Sequence, residues 1–99
     1  MRRAARRDEN EATIVAALEA AGCSVERISA KGIPDLLVGY RGSTLILEVI
    51  GDAKAKKYRA TGGLTPDQVA FKARWRGQWA SARTSVEALI AVGVASVPK

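Results

Sequence analysis

The spacing of apolar positions divides the chain into short helical and strand-like runs. Ile14, Leu18 and Ala21, with Val15 and Ala17 beside them, form an apolar stripe at helical spacing. This predicts a helix over about 9–21, with Asp8 as N-cap, Glu11 at a capping-box position and Gly22 as the stop. Residues 24–29 alternate as a strand, with Val25 and Ile28 apolar. A second strand is expected over 33–39. Pro34 marks a strand end or a sheet edge there, because proline has no N–H to give to a ladder. Residues 44–50 are almost all apolar apart from Glu48, the pattern of a central strand. Residues 51–63 read as a basic, glycine-flanked loop. Thr65-Pro66-Asp67-Gln68 opens a helix, with Thr as N-cap, Pro in the first position and Gln closing a capping box. That helix carries Val69, Phe71 and Trp75 and stops at Gly77. A fourth strand over 78–83 and a last helix from Thr84-Ser85 to about Val92, ended by Gly93, complete the order α-β-β-β-α-β-α. The class is α/β. No repeat or linker breaks the pattern, so residues 8–99 are expected to form one domain behind a flexible basic arm at 1–7.

The tight turn at Arg41-Gly42 fixes the most informative juxtaposition. If these are the two central turn residues, Tyr40 pairs with Ser43, and Asp35 falls directly opposite Glu48 on the same face. Their Cβ atoms would be roughly 4.5–5.5 Å apart, and like charges so placed are destabilising without a counter-ion. A bulge at Gly42 would shift the pairing by one residue and separate them. Glu48 also lies in the run Leu45-Ile46-Leu47-Glu48-Val49-Ile50, where a charge is costly unless paired or coordinated. Two carboxylates with added carbonyl and water oxygens favour Mg²⁺ or Mn²⁺. Glu11, on the helix face that should meet the sheet, has two readings from spacing alone: a third site carboxylate or a capping residue. Gln68 has the same two readings.

Composition narrows the chemistry. With 99 residues, 47% hydrophobic and 26% charged, the chain is an ordinary globular sequence. It has no His and one Cys, Cys23, which removes the commonest acid/base group, disulfides within the chain and a cysteine zinc site. The start is basic but leads into no apolar signal segment, and no apolar run reaches membrane-spanning length, so a soluble, cytoplasmic protein is expected. The net charge of +6 is uneven: residues 1–50 balance, and residues 51–99 hold nine Lys/Arg against three Asp/Glu. A basic half beside an acidic pair suits a polyanion bound next to a metal. Lys54, Lys56, Lys57 and Arg59 surround Tyr58 in the loop after the pair. The loop is either a DNA-contacting segment, with Tyr58 stacking on an unpaired base, or a solvated surface. Phe71 and Trp75 are read first as core packing and second as base-stacking groups, and Trp79 as core or as part of a dimer surface.

Gly32-Ile33-Pro34-Asp35-Leu36-Leu37-Val38, then Leu47-Glu48-Val49, then Leu64-Thr65-Pro66-Asp67-Gln68 resemble the virus-type replication-repair nuclease (VRR-NUC) domain, a branch of the PD-(D/E)XK, restriction-endonuclease-like nucleases. The likeness spans nearly the whole chain. It implies a central mixed sheet flanked by helices and Mg²⁺- or Mn²⁺-dependent cleavage of DNA. It also implies metal ligation by Asp35, Glu48 and the Val49 carbonyl, with Glu11 and Gln68 as further site residues. Small members of the family resemble homodimeric Holliday-junction resolvases, which implies a homodimer on branched DNA.

One residue departs from the pattern. The family follows Glu-Val with a catalytic Lys, and this chain has Ile50. Three explanations stand. Lys54, or secondarily Lys56, reaches back into the site. Alternatively, metal-bound water suffices and the enzyme is slow. Or the chain is a catalytically inactive DNA-binding module on the same fold.

Overall fold

The computed structural model describes residues 9–95. The expected arm at 1–7 and the Asp8 cap lie outside them. Helix α1 spans Glu11–Ala20, strands β1, β2 and β3 span Ser24–Arg27, Leu36–Tyr40 and Ser43–Val49, and a short α2 spans Asp52–Lys57. A 3-10 turn at Arg59–Thr61 leads to α3, Pro66–Arg74, then β4, Trp79–Ala82, and α4, Ser85–Val92. The four strands form one sheet in the order β1-β2-β3-β4, antiparallel except for the parallel β3–β4 pair. The fold is therefore α/β, a mixed sheet flanked by helices. No helix among the described residues is long and apolar enough to cross a membrane.

The hairpin register follows the turn. Arg41 and Gly42 both have positive φ, 49° and 81°, as a two-residue hairpin turn with the twist of its strands requires. Tyr40 pairs with Ser43, and the ladder runs to Leu36 opposite Leu47. Alternation along β3 then sorts its side chains. Leu45, Leu47 and Val49 join Leu36 and Val38 in a core with Ile14, Val15 and Leu18 of α1 and Ala88 of α4. Ile46, Glu48 and Ile50 point to the other face, where α3 lies.

Local sequence rules held at most helix ends. Thr65 and Gln68 form the full capping box of α3, Thr84 caps α4, and Gly93 closes it in the left-handed region. Three expectations are corrected. First, α1 starts at Glu11 with Asn10 before it, so Glu11 is the first helical residue and not the capping partner. Second, β2 starts at Leu36 and leaves Pro34 and Asp35 just outside the strand. Third, the loop expected over 51–63 is largely helical, which inserts α2 into the predicted order. Its Ala-Lys-Ala-Lys-Lys sequence favours helix, with Asp52 in the first turn and lysines in the last complementing the helix dipole. Cys23 is buried, and burial raises its thiol pKa.

Gly63 shows how closely this segment packs on the sheet. Its φ is +97°, and a Cβ there would lie 2.5 Å from Ile50 Cγ2. Gly42, at φ +81°, has nothing within 4 Å of that position. Gly63→Ala should cost on the order of 2–4 kcal/mol, combining left-handed strain with overpacking. Gly42→Ala should cost only the backbone share, about 1–2 kcal/mol. Urea unfolding midpoints at unchanged m-value measure both.

Candidate active site

Glu48 is the centre of the site. It sits one residue before the end of β3 and is 1% exposed. A carboxylate so buried is costly unless other groups compensate its charge. Gln68 Nε2 donates to Glu48 Oε2 at 2.8 Å, and Lys54 Nζ lies 4.0 Å from the same oxygen. Gln68 uses both ends of its primary amide. Its Oε1 accepts from the Thr65 N–H at 2.8 Å and closes the α3 cap, while its NH₂ group holds Glu48. The cap orients the amide, and the amide orients the carboxylate.

Asp35 lies at the neighbouring strand end. The Val49 N–H donates to Asp35 Oδ2 at 2.8 Å, and the Ile28 N–H donates to the Asp35 carbonyl at 2.7 Å. Counting from the turn, 34 and 49 would be a hydrogen-bonded pair, with the Val49 N–H donating to the Pro34 carbonyl. The ladder instead ends at Leu36 opposite Leu47, and the Asp35 carboxylate takes the Val49 N–H in place of that carbonyl. The carbonyl of a strand residue points to the same side as its N–H, so that of Val49 faces Asp35. Carboxylate and carbonyl oxygens are the hard donors that Mg²⁺ or Mn²⁺ takes.

Glu11 is buried at the start of α1 and has Arg27 as a partner. Among the described residues no group of three or more His, Cys, Asp or Glu is placed to hold a metal. Glu11, 3% exposed, accepts from Arg27 Nε at 3.0 Å. Arg27 stands opposite Leu36 on the face that carries the α1 core, whereas Glu48 is on the other face.

The chain leaves β3 through Ile50 and enters α2, which carries Lys54. Ile50 is 2% exposed and packs against Gly63, and its N–H donates to the Ala82 carbonyl. The cation comes from Lys54, on the first turn of α2, which brings it back toward Glu48. Lys56, Lys57 and Arg59 are exposed, and Tyr58 is half-buried beneath the Lys57 ammonium at 5.5 Å. Tyr58 and Gln68 border a groove of about 400 Å³ with Lys31, Gly32, Thr65, Pro66 and Asp67.

Two contributors were not anticipated. Asn10 Nδ2 donates to the carbonyls of Ile50 at 3.1 Å and Arg83 at 2.7 Å, tying the start of α1 to the ends of β3 and β4. Only its position before a helix signals it, and that signals a cap. Ser81 stands beside Glu48 in the parallel register, a neighbour that no local pattern gives.

No protein-family model, curated protein or solved structure matches the chain.

The double role of Gln68 is testable by stability. Thr65→Ala, which removes the cap oxygen, should cost about 1 kcal/mol. Gln68→Ala loses the cap closure and a donor to a buried carboxylate, and should cost a further 1–3 kcal/mol or so. Equal shifts in urea midpoint for the two variants would show that the Gln68–Glu48 bond contributes nothing.

Proposed function

We propose that the protein is a divalent-metal-dependent DNA endonuclease with a restriction-endonuclease-like core, cutting phosphodiester bonds of branched DNA as a homodimer. The observation that carries the reading is Glu48: a buried strand-end carboxylate fixed by Gln68, with the Lys54 ammonium at 4.0 Å and Asp35 at the adjoining strand end. Asp35, Glu48 and the Val49 carbonyl would hold Mg²⁺ or Mn²⁺, which when bound neutralises phosphate charge and acidifies water. Lys54 replaces the family's motif lysine: its ammonium orients the attacking water and offsets charge developing on the phosphate. Gln68 keeps Glu48 in one orientation, so no reorganisation is needed when substrate arrives. Lys56, Lys57 and Arg59 contact backbone phosphates without reading sequence. The preference for branched DNA and the homodimer rest on the sequence resemblance.

Ile50 favours a second reading, a DNA-binding module without turnover, because the position of the motif lysine is filled by a core side chain. Cleavage of four-way junction, flap and linear duplex DNA in Mn²⁺ separates the two. Unmodified protein should cut, and Glu48→Gln should not. Lys54→Ala should slow cutting by about 100-fold or more, in the range for loss of one charge-stabilising group. Lys56→Ala should weaken DNA binding while changing the rate at saturating DNA little. DNA binding with no cutting selects the second reading. Full activity in Glu48→Gln removes the site altogether.

A further inference from the structure

Residues 68–86 contain Lys72, Arg74, Arg76 and Arg83 and no Asp or Glu. Phe71, Trp75 and Trp79 are interleaved with these cations. Trp75, expected in the core, is instead 42% exposed. It is nevertheless held in place. Its ring stacks on Phe71 with centroids 5.3 Å apart and planes at 23°, and its Nε1–H donates to the Gln78 carbonyl at 3.1 Å. The ring also lies so close to Gly77 that a Cβ there would be 3.0 Å from it. Cations already sit over the adjoining rings: Lys72 Nζ lies 4.6 Å from the Trp79 centroid, and the Arg74 guanidinium 5.0 Å from that of Phe71.

We infer that the C-terminal end of α3 and the start of β4 form a stacking platform for unpaired bases of single-stranded DNA. A fixed, exposed indole loses little freedom when a base stacks on it. The surrounding cations match a polyanion whose units each carry an aromatic face. A second copy of the chain is the poorer occupant, because a two-fold contact would set Lys72, Arg74 and Arg76 against themselves. The relation to the cutting site rests on the nuclease reading. Gln68 in the first turn of α3 and Trp75 at its C-cap are seven residues apart, about 10 Å along the axis. This is roughly three nucleotide rises of a DNA strand. A strand with its phosphate at Glu48 therefore presents unpaired bases to Trp75 a few nucleotides away, as a flap or an opened branch would.

The platform is tested without metal. A fluorescein-labelled oligothymidylate of about twelve nucleotides is titrated in EDTA, following anisotropy and tryptophan emission. The unmodified protein should bind and its emission should be quenched. Trp75→Ala should weaken binding roughly 5- to 100-fold, the loss of one base stack. Trp75→Phe should retain most of the affinity, and Lys72→Ala and Arg76→Ala should flatten the salt dependence. Far-UV circular dichroism checks that each variant is folded. Unchanged affinity in folded Trp75→Ala overturns the platform, and so does a Trp75-dependent dimer in sedimentation whose loss leaves oligonucleotide affinity intact. Trp75-dependent binding in a protein that never cuts DNA upholds the platform and removes the nuclease reading. Cutting with no Trp75 dependence of binding does the reverse.

Discussion

The site depends on one side-chain amide. Glu48 is carried into the interior by a strand that is otherwise apolar, and a carboxylate there costs several kcal/mol unless its environment compensates. Gln68 provides compensation and direction together. Its oxygen is used by the Thr65 N–H, so the amide cannot rotate without breaking the α3 cap, and its NH₂ group must face Glu48. Helix-start chemistry, normally a local matter, here positions a group on a strand twenty residues away.

The same economy applies at the end of β2. The ladder ends at Leu36, and the Asp35 carboxylate takes the Val49 N–H where the Pro34 carbonyl would have accepted it. This turns Asp35 toward the strand end that carries Glu48. The chain then leaves β3 through Ile50, which is core, and turns into α2, where a lysine on the first turn points back. Gly63 permits this, because any side chain there would collide with Ile50. Ile50 and Gly63 thus close the sheet face below, and Lys54 puts the positive charge above it.

Helix α3 joins two kinds of surface. Its N-terminal turn holds the buried carboxylate, and its C-terminal turn presents a fixed indole among cations. Gln68, Phe71 and Trp75 follow helical spacing from half-buried polar, through buried apolar, to exposed aromatic. Exposing a large ring that is already anchored on three sides gives the fold little. Its use lies with whatever stacks on it.

Much of this was legible in the sequence because the deciding interactions are local. The Arg41-Gly42 turn fixed the hairpin register, alternation fixed the faces of β3, and the Thr65-Gln68 spacing fixed the start of α3. The carboxylates at Asp35 and Glu48 and the odd residue at Ile50 were visible for the same reason. Long-range contacts were not. That Arg27 donates to Glu11, that Asn10 ties α1 to two strand ends, and that Trp75 stays exposed all depend on how helices pack on the sheet. Nor does the sequence choose between the two ends of the Gln68 amide, cap or site. Periodicity says which residues share a face, but only packing decides which charges meet across it. By itself the sequence determined most of the elements and the hairpin register from Leu36 to Leu47. The tertiary structure decided which cation reaches Glu48 and which aromatic ring is left exposed, because those choices depend on distances between elements that no local pattern encodes.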